Sequence, residues 1–194
     1  MSRALAEYEY MSFDDFEEAL ADKPRSERWE LIGGRVVRLM VGARWEHNYL
    51  IQNVASGLRD RLRAAGSPCR TLTETFYVKD RQLEAGLLPD VVVHCGPLEP
   101  GATSVSDPVV LVEVLSIGAE ARDRFEKWAV YQRLASLRHY VLITRDRPHI
   151  EVYDRSGTDW AGLRIVDGWT STLTLPALAV DIPLREIYRD VKTA

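Results

Sequence analysis

The chain has 194 residues, of which 46% are hydrophobic and 28% are charged, and its formal net charge at pH 7 is −4. These values fit one globular domain over residues 1–194 and exclude a generally basic surface that coats nucleic acid. No apolar run is long enough to span a membrane, and Met1–Glu7 lacks the apolar core of a signal peptide. Cys69 and Cys95 form no disulfide or metal pattern, so we expect a cytoplasmic protein with reduced thiols.

The first predicted elements are a helix, a hairpin and a long helix. Ser12, with an acid at the third following position, is a typical N-cap and begins a short helix that runs through Leu20. The pair Gly33-Gly34 between Trp29–Ile32 and Val36–Met40 predicts a two-residue hairpin. Apolar residues at three- and four-residue steps then predict an amphipathic helix from Arg44 to Ala65.

The middle of the chain alternates between strands and helix. Thr71–Lys79 is rich in Thr, Phe, Tyr and Val and is predicted as one strand. Two apolar strands follow at Pro89–His94 and Val109–Leu115, separated by the loop Gly96–Asp107. Helical spacing returns over Glu120–Leu134.

The last third is predicted to be mainly strands. Tyr140–Thr144 and Ile150–Tyr153 have strand composition, Leu163–Val180 suggests short strands, and Pro183–Arg189 suggests a final helical turn. The complete order of elements predicts a mixed α/β domain on one central sheet flanked by helices.

Two acidic residues stand out in the apolar strands. Asp90 begins the first of them, and Glu113 lies inside the second. A buried strand rarely accepts a charge without a compensating cation or hydrogen bonds. If the two strands pair, both carboxylates meet at one place, where they suit a hard divalent cation such as Mg²⁺.

The helix after the second strand carries a candidate cation. Asp123, Lys127 and Tyr131 lie at four-residue intervals and therefore share one face of the predicted helix. This helix must pack back onto the sheet, so Lys127 could approach the two acids. The ion would lower the pKa of a bound water and neutralise charge on a phosphodiester.

These segments together resemble the Uma-two family of endonuclease-like proteins, within the PD-(D/E)XK or restriction-endonuclease-like superfamily. The resemblance covers nearly the whole chain and is carried by the following segments: Ser12–Phe16, Trp29–Val37, His47-Asn48, Leu88–Val92, Glu113–Ser116, Glu126–Tyr131, His139–Ile143 and Val152-Tyr153.

The resemblance implies a restriction-endonuclease-like sheet, Asp90 and Glu113 as ligands of Mg²⁺ or Mn²⁺, and DNA as the substrate. In the wider superfamily a lysine follows the second acid by two residues, where this chain has Leu115. As this smaller family does, the chain would supply its lysine from the following helix, as Lys127. Ser116-Ile117-Gly118 is a second departure, because a Ser-Pro-Ser-like turn is expected there.

Two further polar residues match the family pattern. Glu30 faces opposite to Trp29 and Leu31 in a regular strand, and it could complete the acidic site. His47 could contact phosphate or support a ligand, and Tyr131 would lie one turn beyond Lys127.

Each candidate also has a purely structural interpretation. Asp90 could be a turn residue, and Glu113 could form a buried salt bridge. Lys127 could pair with Asp123 on a solvated helix face, while Glu30 and His47 could be ordinary surface residues. The arginine clusters have the character of solvated faces, and His94, His139 and the cysteines show no ligand spacing.

The sequence thus predicts a metal-dependent deoxyribonuclease in which Asp90, Glu113, Lys127 and Glu30 act together. Two alternatives stay open: a catalytically silent nucleic-acid or protein interaction module on the same fold, and a metal-dependent hydrolase of another substrate. A homodimer is a further expectation, because the two DNA strands are related by pseudo-twofold symmetry.

Overall fold

The structure, a computed structural model, describes residues 9–40, 44–116 and 120–191. Its helices are α1 (Phe13–Asp22), α2 (Trp45–Ala64), α3 (Trp128–Tyr131) and α4 (Leu184–Ile187). Its strands are β1 (Glu9–Tyr10), β2 (Glu27–Ile32), β3 (Arg35–Met40), β4 (Arg70–Thr73), β5 (Tyr77–Asp80), β6 (Ala85–Leu87), β7 (Val91–His94), β8 (Ser104–Val105), β9 (Val110–Leu115), β10 (His139–Thr144), β11 (His149–Ser156), β12 (Asp159–Trp160), β13 (Arg164–Asp167), β14 (Thr172–Leu175) and β15 (Val180–Pro183).

The described strands form two large sheets and a ribbon, so the expectation of one central sheet is wrong. One sheet has the order β1-β3-β2-β6-β5-β8. The other has the order β12-β11-β10-β9-β7-β4, with β13 also paired to β11, and β14 pairs with β15. The mixed α/β architecture is confirmed, since β9 and β10 are parallel while most other pairs are antiparallel.

The N-terminal elements agree with their local sequence signals. The Ser12 hydroxyl accepts a hydrogen bond from the backbone N–H of Asp15, as an N-cap does at the start of α1. Gly33 and Gly34 have φ values of 58° and 82°, a conformation that glycine adopts without steric cost, and they join β2 to β3. The long helix α2 lies within one residue of the predicted bounds.

The predicted strand Thr71–Lys79 is divided between the two sheets. Its first part, β4, pairs with β7, whereas its second part, β5, pairs with β6. The division occurs at Glu74, which has a φ of 47° and donates its backbone N–H to the carbonyl of Asp90. A left-handed residue interrupts the extended backbone, so the chain leaves one sheet and enters the other.

The predicted helix Glu120–Leu134 contains a π-helical segment, Arg122–Lys127, followed by α3. A π-helix has i→i+5 hydrogen bonds and a wider turn than an α-helix, and such segments are frequent at functional sites. The spacing of apolar residues does not distinguish an α-helix from a π-helix, because in both forms residues about four positions apart lie on the same face.

The core lies between the sheets and the helices. Every side chain of β9 is buried, including the single charged one, Glu113. One face of this sheet packs against α2 through Leu50, Val54 and Leu58, and the other face packs against Tyr131 and Leu137. The strand that carries the second acid is therefore enclosed on both sides, which agrees with its continuous apolar sequence.

The prediction of reduced thiols is wrong for this structure. Cys69 and Cys95 form a disulfide bond with an S–S distance of 2.01 Å. Arg70 pairs with His94 in the β4–β7 register, so the two cysteines stand opposite each other one position beyond that pair. The spacing of 26 residues gave no sign of this, because it is the antiparallel pairing that brings them together.

Two sequence expectations concern residues outside the described ranges, namely Met1–Glu7 and most of Ser116-Ile117-Gly118. In the part of the chain that the structure describes, no helix is both long and apolar enough to cross a membrane.

Candidate active site

Asp90 lies immediately before β7, at the point where this strand meets β9. Val91 pairs with Val112, so Asp90 stands one position beyond this pair, beside Glu113. Its Oδ2 atom accepts a hydrogen bond from the backbone N–H of Val114 at 2.7 Å, and its side chain is buried. The two acids therefore meet where the sequence predicted.

Lys127 supplies the positive charge beside Glu113. Its Nζ atom is 2.8 Å from Glu113 Oε1, 3.1 Å from Glu30 Oε1 and 3.4 Å from Asp123 Oδ1. The side chain is 4% exposed, which excludes a solvated helix face. Leu115, at the superfamily's usual lysine position, lies instead in an apolar cluster.

Glu30 comes from β2 in the other sheet and is 1% exposed, so it is not a solvent-facing strand residue. Its Oε1 atom accepts a hydrogen bond from the backbone N–H of Leu88 at 2.9 Å. Its Oε2 atom is buried and has no hydrogen-bond partner among the described residues. This oxygen is an acceptor that water or a cation could use.

Two buried tyrosines line the site. The Tyr131 hydroxyl donates to Glu113 Oε1 at 3.2 Å, and the Tyr140 hydroxyl donates to the backbone carbonyl of Asp123 at 2.8 Å. Burial, together with the charge of Glu113, raises the pKa of both tyrosines well above the ordinary value. Both therefore stay neutral donors, and Tyr131 is placed where it was predicted.

His47, in the first turns of α2, contacts Asp90 with Nε2 at 3.3 Å from Oδ2. Burial lowers the pKa of His47, but the hydrogen bond and charge of Asp90, together with Glu74, outweigh burial and raise it. Its Nδ1 atom is buried without a hydrogen-bond partner in the described ranges. His47 is thus part of the site rather than a surface residue.

Sequence reasoning missed two members of the site, Asp123 and Arg122. Asp123 is 4% exposed and contacts Lys127, and its four-residue spacing from that lysine was the available signal. Arg122 places Nε 3.9 Å from Asp123 Oδ1 and 4.0 Å from Glu30 Oε2. Nothing in an α-helical pattern directs Arg122 toward the acids that Lys127 contacts, because this position depends on the π-helical turn.

We refer to Glu30, Asp90, Glu113 and Asp123 as the acid cluster. These four buried carboxylates face two permanent cations, Lys127 and Arg122, and therefore carry an excess of negative charge when all are ionised. Burial and the neighbouring acids raise the pKa of Glu113 well above its usual range against the opposing charge of Lys127. Burial likewise raises the pKa of Asp123.

The same surroundings keep Lys127 protonated. Burial lowers the pKa of its ammonium, but Glu113, Glu30 and Asp123 outweigh burial and raise that pKa. A protonated ammonium among three carboxylates offsets their charge and holds them in place.

The donor set fits a divalent cation with few protein ligands. Among the described residues no group of three or more His, Cys, Asp or Glu side chains forms a ready metal cage. However, Mg²⁺ is usually held by only one or two carboxylates together with several waters and substrate oxygens. The excess negative charge and the unpartnered oxygens Glu30 Oε2 and Asp123 Oδ1 favour such a cation.

Two histidines and an arginine for which the sequence predicted no role pair with acids outside the acid cluster. His94 contacts Asp107, and His139 contacts Asp154. Within the first arginine cluster, Arg61 pairs with Glu186.

Comparisons with known proteins assign the chain to a family. The family model Uma2, described as "Putative restriction endonuclease", matches residues 13–184. A solved structure from Anabaena variabilis ATCC 29413, a "putative nuclease belonging to DUF820", superposes with a TM-score of 0.71 at 15% identity, covering 92% of this chain and 97% of that one. This likeness shows the fold, and it confirms the predicted restriction-endonuclease-like α/β class.

An uncharacterized protein of Synechocystis sp. is 31% identical over 103 residues, which is 52% of this chain. The match spans 53% of that relative's length. On the strength of the family match over most of its length, this chain belongs to the Uma2 family of restriction-endonuclease-like proteins.

Proposed function

We propose that the protein is a metal-dependent nuclease that hydrolyses phosphodiester bonds of DNA at the acid cluster. One observation carries this proposal: the Lys127 ammonium is buried among Glu30, Glu113 and Asp123, and Asp90 lies opposite Glu113 in the β7–β9 pair. Burying four carboxylates is costly, and a fold that needed only stability would place apolar side chains there. The family match supplies independent support.

Asp90 and Glu113 would hold the cation, Mg²⁺ or Mn²⁺, with Glu30 able to complete the cluster. When bound, such an ion supplies a water of lowered pKa and neutralises charge on a phosphate group. The backbone N–H of Val114 fixes Asp90, while Tyr131 and Lys127 fix Glu113. Asp90 Oδ2 and Glu113 Oε1 are thus oriented before any ligand binds, as electrostatic preorganisation of a catalytic site requires.

Lys127 acts mainly as a positioning group in this proposal. Its ammonium donates a hydrogen bond to Glu113 Oε1 and lies within 3.4 Å of Glu30 and Asp123, so its charge offsets the repulsion among the three carboxylates. Orientation of the attacking water would then fall to the buried oxygens that accept no hydrogen bond among the described residues, namely Glu30 Oε2 and Asp123 Oδ1. His47 is placed to hold Asp90 or to contact a phosphate oxygen.

The decisive experiment is a time course of plasmid nicking with Mg²⁺ or Mn²⁺. Wild type should convert supercoiled plasmid to nicked and linear forms, and Asp90→Asn should not, since the amide still accepts from Val114 but carries no charge. Asp60→Asn is the matched control, because Asp60 is an exposed carboxylate on α2, outside the acid cluster. Its nicking rate should equal that of wild type.

The outcome separates the remaining functions. No metal-dependent cleavage of DNA by wild type, with cleavage of RNA or of a small phosphodiester, would favour a hydrolase of another substrate. No cleavage of any of these would favour the silent interaction module. A homodimer and a cytoplasmic location stay parts of the proposal.

A further inference from the structure

Arg122 lies at the rim of the acid cluster, and its guanidinium group donates no hydrogen bond to any described residue. Its Nε atom is buried and makes no hydrogen bond within the described ranges. The nearest acids, Asp123 and Glu30, are 3.9 Å and 4.0 Å from this atom, beyond hydrogen-bond distance. The side chain is 19% exposed, so part of it faces outward from the cluster.

Lys127 differs from Arg122 both in its exposure and in its distance from the carboxylates. It is 4% exposed, and three carboxylates lie within 3.4 Å of its ammonium. A phosphate group that entered the site could not reach this ammonium without displacing a carboxylate. Arg122 is therefore the better-placed cation for a ligand that arrives from solvent.

The π-helical turn explains why Arg122 stands at this position. Arg122 and Lys127 are five residues apart, which is the hydrogen-bond spacing of a π-helix. The wider turn brings residues i and i+5 to the same side of the helix, so Arg122 approaches Glu30 and Asp123, two acids that Lys127 also contacts. In a regular α-helix Asp123, four residues before Lys127, would share a face with it, whereas Arg122, five residues before it, would not.

We propose that Arg122 binds the scissile phosphate of the nucleic acid, and this inference rests on the proposed nuclease function. Guanidinium groups bind phosphate oxygens through two parallel N–H···O bonds, and no described carboxylate accepts a hydrogen bond from Arg122. The arginine offsets phosphate charge at the rim, and the buried acids would hold the cation. It also explains how a chain of net charge −4 admits a polyanion to an acidic site.

A purely structural interpretation gives Arg122 only the task of offsetting the charges of Glu30 and Asp123. The two interpretations differ in the salt dependence of DNA binding. A side chain that neutralises a phosphate releases counterions when DNA binds, whereas an internal counter-charge does not.

The test measures fluorescence anisotropy of a short labelled DNA duplex in Ca²⁺ at several salt concentrations, with gels to verify that the duplex stays intact. Arg122→Met should reduce the magnitude of the slope of log Kobs against log salt by ~0.9, the loss of one phosphate contact. Arg122→Lys should keep the slope. Arg124→Met, on the same segment but paired with Glu151, is the matched control and should leave the slope unchanged.

Cleavage kinetics give the second readout. In Mn²⁺, kcat of Arg122→Lys should fall by about 10²-fold, because charge is retained but the planar fork is lost. An unchanged slope in a folded Arg122→Met, or an unchanged kcat in Arg122→Lys while wild type cleaves, overturns this inference and leaves the nuclease function standing. Failure of wild type to bind DNA overturns it as well. An Arg122-dependent slope without any cleavage supports the phosphate contact and contradicts the nuclease function.

Discussion

Lys127 is the residue on which the stability of the site depends. Its ammonium is buried and lies within 3.4 Å of three carboxylates that have little access to solvent. Removing one partner of a buried charge pair leaves the other charge uncompensated, at a cost well above that of a surface pair. The lysine is therefore a structural requirement of the metal-free protein as well as part of the candidate site.

Lys127→Met should lower the free energy of unfolding by about 3–5 kcal/mol at pH 7, as measured by urea denaturation without metal. The methionine keeps most of the packing of the stem but provides no charge for the acids. Lys79→Met is the control, since Lys79 pairs with the more exposed Glu17, and it should cost less than about 1 kcal/mol. Equal losses in the two variants would mean that the ammonium is not the partner that the acids need.

The site residues differ in how well their role could be predicted from the sequence. Asp90 and Glu113 were found because a charge in an apolar strand is unusual, and Lys127 was found through its helix and the family resemblance. Asp123 had a spacing signal, because it shares a helix face with Lys127 and Tyr131, but it was not predicted as a site residue. Arg122 had none, because its position depends on a turn type that periodicity does not record.

At the level of elements, local signals predicted what local chemistry determines. The N-cap at Ser12, the Gly33-Gly34 turn and the amphipathic α2 agree with the structure because neighbouring residues fix them. The division of Thr71–Lys79 is different, since it depends on Glu74 bonding to the distant Asp90 carbonyl. Tertiary contacts of this kind are absent from any local pattern, and the two-sheet arrangement follows from them.

The pairing of β10 with β11 contains a histidine whose protonation the fold opposes. The His139 Nδ1 atom is 2.7 Å from Asp154 Oδ1, and Nε2 accepts the backbone N–H of Ala177 at 3.2 Å. Burial lowers the pKa of His139, and the charges of Arg164 and Arg138 act in the same direction against the pull of Asp154. A proton on Nε2 would also break the bond from Ala177.

The stability that His139 contributes should therefore be lost in acid. A histidine with a lowered folded-state pKa stabilises the fold above its unfolded pKa of about 6.5 and loses this stability as pH falls toward the folded value. We expect the difference in unfolding free energy between wild type and His139→Asn to shrink from about pH 7.5 to about pH 5.5. The difference between the two chains removes the pH dependence that comes from the titratable groups present in both. A difference that grows on acidification would contradict the assignment.

At the scale of the whole molecule, the fold assembles its site from both sheets and the π-helical segment. Glu30 comes from one sheet, Asp90 and Glu113 from the other, and Lys127 from the segment that follows. The sequence predicted the fold class and these residues, but neither the two sheets nor the Cys69–Cys95 disulfide, because both depend on long-range strand pairing. One domain over residues 1–194 stays a prediction.

The central claim is that the acid cluster holds a divalent cation, and thermal unfolding in Mn²⁺ tests it most directly. With ion at 100 times Kd, binding to the folded state adds about 2.7 kcal/mol, or about 5–10 °C in Tm for a chain of this size. Wild type and the exposed control Asp60→Asn should both show this rise, and Asp90→Asn should not. If Asp90→Asn rises as much as wild type, the cation does not bind at the acid cluster and the proposed mechanism is wrong.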